Sequence, residues 1–148
     1  MPHFTRRIDR GGPTINVLLT VSAARFSALE KNGKKAPKPI VANGLIDTGA
    51  SSTCIDQDVI QRLGLISTGQ THVHTPSTRD GPVLTDEYDC GLLIYARTTE
   101  NPYAVPNLPV IEAPLLEMQG IHTLIGRDVL SKCILIYDGV MNTYTLAF

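Results

Sequence analysis

Leu45-Ile46-Asp47-Thr48-Gly49-Ala50-Ser51 is the stretch on which the reading of this chain turns. A carboxylate at the end of an apolar run is expensive to desolvate unless it is hydrogen-bonded or serves a task. The small residues after Asp47 let the backbone turn sharply and bring amide groups back toward the carboxylate. Taken alone, Asp-Thr-Gly fits an ordinary strand-end turn equally well, because Asp and Gly occur at turns of every kind. Upstream, residues 39–46 form the apolar strand that ends at Asp47. Downstream, Asp56 is placed to cap a helix in which Val59, Ile60 and Leu63 share one face and Gly64 supplies the stop. Ile55 and Ile60 stand where a hydrophobic staple would put them.

Working outward, the pattern is one of short apolar segments separated by Gly, Pro, Asn and Asp, the mark of an all-β, barrel-like domain. Residues 15–22 alternate as a strand. The polar, breaker-rich residues 30–39 read as a surface loop with solvated lysines. Residues 71–95 read as a long hairpin with Pro76-Ser77-Thr78-Arg79-Asp80-Gly81-Pro82 at its tip. Residues 101–109, rich in Pro and Asn, read as a connection between strands. Residues 121–125 are apolar, Gly126-Arg127-Asp128 is a turn, and residues 129–133 make one or two helical turns. Residues 133–137 and 143–148 then form a hairpin around Asp138-Gly139. No internal repeat is visible, and residues 1–148 are expected to form one domain. The fold expected is mostly β: a closed, largely antiparallel β-barrel lobe with one or two short helices.

Composition narrows the function classes. The chain has 148 residues, 43% of them hydrophobic, with a formal net charge of -1. That balance argues against a nucleic-acid binder and against a basic membrane-surface protein. No apolar run approaches the roughly 18 to 20 residues needed to cross a bilayer. Met1-Pro2-His3-Phe4-Thr5-Arg6-Arg7 has charge without an apolar stretch behind it, unlike a secretory signal, so a cytoplasmic location is expected. Cys54, Cys90 and Cys133 make neither a disulfide framework nor a zinc knuckle and read as small hydrophobes in a reducing compartment. His72 and His74 share a strand face but lack a third ligand at readable spacing, so no metal is expected. Cys54 has no electropositive neighbour to activate a thiol. Ser51 and Ser52 lack the Gly-x-Ser-x-Gly elbow of a serine hydrolase. Asp86, Glu87 and Asp89 read as a solvated face, and Tyr137 and Tyr144 as a pair across the terminal hairpin.

A second stretch, Leu124-Ile125-Gly126-Arg127-Asp128-Val129-Leu130, changes the weight of the first. The two together, in this order and with a hairpin between them, resemble the retropepsin family, the single-lobe aspartic peptidases of retroviral type. That family carries an apolar-apolar-Asp-Thr-Gly-Ala loop, a flap hairpin, and a later apolar-Ile-Gly-Arg-Asp/Asn-apolar-Leu segment. The resemblance covers residues 15–148, with the active-site loop at 45–51, the flap at about 71–95 and the second signature at 124–130. It is closer to the stand-alone bacterial members than to the viral ones, since the chain starts at its own Met and carries extra loops.

The resemblance implies an aspartic endopeptidase. One ionised carboxyl would take a proton from a bound water while a protonated one bonds the scissile carbonyl and later feeds the leaving nitrogen. Only one Asp-Thr-Gly occurs here, so the second Asp47 must come from another copy. The active species would be a homodimer acting on an extended peptide or protein substrate, with no metal or organic cofactor, and a monomer would be inactive. By the same resemblance, Thr48 would bond across the two-fold axis. Gly49 would permit close approach of the two loops and face its amide to the carboxylate. Gly126 would pack behind the loop, and Asp128 would cap the supporting helix. The flap tip, with Thr75, Pro76, Ser77 and Thr78, would close over the substrate. In related enzymes the chain termini contribute to the dimer interface, which makes the final hairpin the candidate here.

The chain departs from the family pattern at three places. Ala50 stands where pepsin-like enzymes have a hydroxyl able to bond the carboxylate; losing that bond disfavours the ionised form and predicts a less acidic working pH. Ser51 replaces the carboxylate that viral members pair with the arginine of the second signature, so Arg127 needs another partner. The flap tip lacks the glycine-rich sequence of viral enzymes. The competing reading from another class is a dimeric peptide-binding or adaptor module that keeps the fold with little or no catalysis. An intact Asp47-Thr48-Gly49 favours the enzyme, because a binder has no use for a costly carboxylate at a two-fold axis.

Overall fold

The computed structural model describes residues 1–74, 81–96 and 101–148. Its elements run β1 (His3–Arg7), β2 (Thr14–Val21), α1 (Ala23–Lys31), β3 (Ile40–Ile46), β4 (Cys54–Ile55), α2 (Gln57–Leu63) and β5 (Ser67–Val73). They continue with β6 (Val83–Ile94), β7 (Tyr103–Glu112), α3 (Leu115–Gln119), β8 (Thr123–Ile125), α4 (Arg127–Leu130), β9 (Ile134–Asp138) and β10 (Thr143–Ala147). The chain is mostly β, with a few short helices outside the sheet, as its patterning implies.

Six strands close on themselves in the order β2-β3-β8-β4-β7-β6, the ring being completed by an antiparallel pairing of β2 with β6. Closure removes the exposed sheet edges that a six-stranded open sheet would carry. β5 hangs on the outside of β6 as the second arm of a long hairpin. The period-two alternation of the strands fills the interior: Ile15, Val17, Leu19 and Val21 of β2, and Cys90, Leu92 and Ile94 of β6, are all buried. Leu19 faces Leu92 and Val21 faces Cys90 across the seam that closes the ring. A separate three-stranded antiparallel sheet, β1-β10-β9, packs Tyr144 and Leu146 into the same core.

The placement of the site depends on one parallel pairing. β3 runs alongside β8 with Gly44 opposite Thr123 and Ile46 opposite Ile125. Both strands therefore end at the same level, and the residues that follow them, Asp47 and Gly126, emerge side by side. Gly44 allows the approach: a Cβ there would lie 2.8 Å from the Thr123 methyl. The helix expected after Asp56 is α2. Asp56 accepts from the Asp58 amide at 2.9 Å, and Gly64 ends the helix in the left-handed conformation.

Several elements differ from the sequence reading. Residues 101–109 are not a connection; most of them belong to β7, which pairs with β6 from Tyr103 to Ile111. Its breakers are absorbed by a register shift in that pairing, between Cys90 and Leu92 on β6, which leaves Pro106 and Asn107 outside the regular ladder. Asn107 then turns its side-chain oxygen to the Ala24 amide at 3.1 Å, in the first turn of α1. α1 was not anticipated, because it buries no residue completely and carries no apolar stripe. Ser22 caps it by accepting from the Arg25 amide. α3 and β1 are also absent from the sequence reading, both being only five residues long, although Phe4 of β1 meets Tyr144 edge-on with ring centroids 6.1 Å apart. The terminal hairpin forms as expected, with Tyr137 opposite Tyr144.

Candidate active site

Asp47 follows the last residue of β3 and is half-buried. Its amide donates to the Ile125 carbonyl at 3.0 Å, which continues the β3–β8 ladder one residue beyond the strands. The chain then folds back: the Gly49 amide donates to Asp47 Oδ1 at 2.8 Å, and the Ala50 amide donates to the Asp47 carbonyl at 3.3 Å. The side chain is thereby fixed by its own loop, with a charge-assisted bond to one oxygen. Among the described residues no donor reaches the other oxygen. Thr48 and Gly49 are exposed at the loop crest, and Thr48 makes no side-chain hydrogen bond among the described residues. A Cβ on Gly49 would stand 3.0 Å from Asp47 Oδ1, tight against the atom its amide serves.

The second signature sits directly beneath. A Cβ on Gly126 would fall 2.6 and 2.7 Å from the carbonyl carbon and oxygen of Ser52, so only glycine lets the loop backbone rest there. Gly126 holds the N-cap position of α4, while Asp128 lies inside the first turn. The expectation that Asp128 is the helix cap is corrected accordingly. It does accept from the Val129 amide of its own helix at 2.9 Å, but its main work is to reach across to Thr53. Oδ2 accepts from the Thr53 amide and Oδ1 from the Thr53 hydroxyl, both at 2.8 Å. That hydroxyl in turn accepts from the Gly126 amide at 3.1 Å. Thr53 is fully buried. It ties the far end of the active-site loop to the second signature, and sequence reading missed it because it follows Ser51 and Ser52 in what looks like a polar loop.

Arg127, for which the sequence offered no partner, turns its guanidinium to the loop backbone. Nη1 donates to the Thr48 carbonyl at 2.8 Å and to the Gly49 carbonyl at 3.3 Å. Its amide donates to the Ala50 carbonyl at 2.9 Å. Three successive loop carbonyls therefore point at one residue.

Other candidates fall away from this centre. Burial, followed by the negative charges of Asp128 and Asp47, pushes the Cys54 thiol up to about 11. A thiol so poised is protonated at neutral pH and is no nucleophile. Cys90, buried in the barrel, is pushed up to about 12. His72 and His74 are exposed on the hairpin arm, and among the described residues no three potential metal ligands come together. The hairpin arms pair from Ser67 opposite Tyr88 to Val73 opposite Val83. The expected substrate contacts Thr75, Pro76, Ser77 and Thr78 lie outside the described residues. Among the described residues no helix is long and apolar enough to cross a membrane.

Comparison with known proteins points in one direction. Residues 29–129 match a family model described as aspartyl protease, a span that holds both Asp47 and Gly126. No curated protein matches the chain significantly. Among solved structures, a retropepsin-like aspartic protease from Rickettsia conorii superposes with a TM-score of 0.62 at 17% identity, covering 99% of this chain and 90% of that one. At that identity the likeness concerns the fold, which is retropepsin-like. Weaker matches are EIAV protease in complex with the inhibitor HBY-793 and the retroviral protease-like domain of Ddi1 from Leishmania major. The first has a TM-score of 0.41 at 20% identity and covers 85% of this chain and 86% of that one. The second has a TM-score of 0.41 at 15% identity and covers 89% and 86%.

Proposed function

This chain belongs to the aspartyl protease family, and we propose from that premise that it hydrolyses peptide bonds with a water activated by two Asp47 carboxyls, one from each protomer of a homodimer. The observation that carries the reading is the loop geometry. A single half-buried carboxylate stands at the start of a loop, one oxygen tied down by the Gly49 amide and the other without a donor among the described residues. Alone it can accept a proton but cannot also present one, and hydrolysis by an activated water requires both. A second copy of the same loop across a two-fold axis supplies the missing acid. Two carboxyls at hydrogen-bonding distance share one proton because both cannot ionise, a behaviour for which aspartic proteases are the type case. Exposed Thr48 at the crest is the residue placed to lock the two loops together.

The terminal sheet is the surface we assign to dimer contact. β9 is one of its two edge strands, and Ile134 and Ile136 on one face of it remain 52% and 57% exposed. An edge strand presents unpaired amides and carbonyls, and antiparallel pairing of β9 with its symmetry mate satisfies them isologously. The substrate is an extended peptide lying between the Asp47 pair and the β5–β6 hairpin, with no metal or organic cofactor in the chemistry.

The test is cleavage of an unfolded peptide mixture across pH 3 to 8 by the native chain and by Asp47→Asn, with sedimentation of both. We expect dimers in both cases, cleavage by the native chain only, and an optimum less acidic than a pepsin's because Ala50 offers no hydroxyl to the carboxylate. Folded dimers that cut nothing at any pH would instead favour the adaptor reading.

A further inference from the structure

We propose that Arg127 is a positioning residue that aims the active-site loop's amides at Asp47, the guanidinium holding the carbonyl end of each peptide unit whose N–H end serves the aspartate. This rests on the catalytic reading of Asp47. In a trans peptide the C=O and N–H point in opposite directions within one rigid plane. Thr48 O and Gly49 N belong to the same plane: the carbonyl accepts from Arg127 Nη1 at 2.8 Å and the amide donates to Asp47 Oδ1 at 2.8 Å. Gly49 O and Ala50 N share the next plane, in which the carbonyl faces Nη1 at 3.3 Å and the amide donates to the Asp47 carbonyl at 3.3 Å. Rotating either plane to release Arg127 would turn its amide away from Asp47. The Arg127 amide holds the following carbonyl, Ala50 O, so the same residue grips three consecutive peptide units.

The arrangement also polarises the loop. A cation on a carbonyl oxygen strengthens the N–H of that peptide as a donor, since hydrogen bonds in series reinforce one another. The charge of Arg127 therefore reaches Asp47 through two peptide groups without a direct ion pair. The only ion pair among the described residues is Arg62 with Asp58, remote from this loop in role and on the surface. Ser51, where a carboxylate would otherwise compete for the guanidinium, leaves Arg127 free to take the backbone. Gly49, at the centre of the grip, is where loop freedom is greatest and a clamp has most to restrain.

The experiment uses Arg127→Ala in the full chain, with and without guanidinium chloride at about 50 mM, far below the molar range that unfolds proteins, and potassium chloride as the ionic-strength control. Activity is followed against protein concentration, so that loss of dimer moves the midpoint and loss of positioning lowers the plateau. We expect the plateau kcat to fall about 100-fold, the scale of a small misplacement of reacting groups, with KM little changed and with recovery of at least tenfold by guanidinium but not by potassium. A shifted midpoint with an unchanged plateau would overturn the proposal and make Arg127 an interface residue. Equal rescue by both salts would overturn it too. Hydrogen exchange of the Gly49 and Ala50 amides gives a readout that needs no catalysis: about tenfold faster exchange in Arg127→Ala, reversed by guanidinium, is expected from the loss of charge-assisted bonds. Unchanged exchange would refute the clamp. If the native chain cut no peptide, this second readout would still decide the role of Arg127, so the two failures are separable.

Discussion

Replacing Thr53 by Val removes one oxygen and little else, and so isolates the bridge between the active-site loop and the second signature. The hydroxyl donates to Asp128 Oδ1 at 2.8 Å and accepts from the Gly126 amide at 3.1 Å, in a residue with no solvent exposure. Asp128 keeps other donors, the Val129 amide on Oδ1 and the Thr53 amide on Oδ2. Gly126 N–H has no such reserve. The lost bond to a carboxylate is worth about 1.5 to 3 kcal/mol, and a donor stranded in a dry site costs about 1 to 3 kcal/mol. The methyl that replaces the hydroxyl returns about 0.8 kcal/mol of burial. A net loss of about 2 to 5 kcal/mol follows, which for a chain of this size lowers the melting temperature by roughly 6 to 15 °C. Thr53→Ser keeps the oxygen and loses only the methyl, at about 1 kcal/mol. Thermal unfolding of the three proteins, at one fixed concentration because the stability of the proposed dimer would depend on it, should rank them native, then Ser, then Val. A Val variant as stable as the Ser variant would show that the bridge does not hold the loop.

Two further outcomes test the surroundings of the site. Since burial and the Asp128 and Asp47 charges raise Cys54 from 9.0 to about 11, its thiolate at pH 8 is about 100-fold scarcer than that of an unperturbed thiol. Its alkylation by iodoacetamide, mapped by mass spectrometry, should be slower by that factor and rise about tenfold per pH unit up to the raised value; reaction at a free-thiol rate would contradict the burial. Changing both Ile134 and Ile136 to Lys forfeits roughly 1 kcal/mol of remaining burial at each of four sites in a dimer, since about half of each side chain is still exposed. Sedimentation should then show association weakened about 1,000-fold, and an unaltered dimer would move the interface away from β9.

The barrel was legible because its strands repeat with period two: β2, β3 and β6 announce themselves by Ile15, Val17, Leu19, Ile40, Ala42, Cys90, Leu92 and Ile94, all of them buried in one core to which α2 and α4 add their apolar faces. What failed was punctuation. Pro106, Asn107 and Pro109 carry the ordinary meaning of breakers, yet β7 takes the first two where its pairing with β6 skips and keeps Pro109 in the ladder opposite Asp89, and Asn107 is put to use holding the start of α1. A bulge leaves no local mark in a sequence, because it is the partner strand that defines it. α1 was invisible for the opposite reason. With no residue fully buried, it lacks the apolar stripe from which a helix is read, and its cap at Ser22 has meaning only once the helix is known.

The site was legible where chemistry demands a residue type and hidden where geometry recruits one. Asp47, Gly49 and Gly126 stand out because a carboxylate at a strand end needs small neighbours and a loop resting on backbone needs a missing Cβ. Thr53 and the carbonyl partners of Arg127 carry no such demand, since any buried hydroxyl or any loop carbonyl looks like its neighbours until the parallel pairing of β3 with β8 brings them to the same level. That pairing also explains why the two signatures act as one unit. Asp47 N bonds Ile125 O, Ala50 O takes the amide of Arg127, and Thr53 closes the circuit through Asp128 and Gly126. The outward bonds of residues 47 to 50 go to the segment 125–128, and Thr53 adds one to β7, its carbonyl accepting from the Ile111 amide at 3.1 Å. The loop is therefore positioned within one protomer before any partner arrives. On the proposed mechanism, dimerisation would then have to supply a second carboxyl without having to build the first.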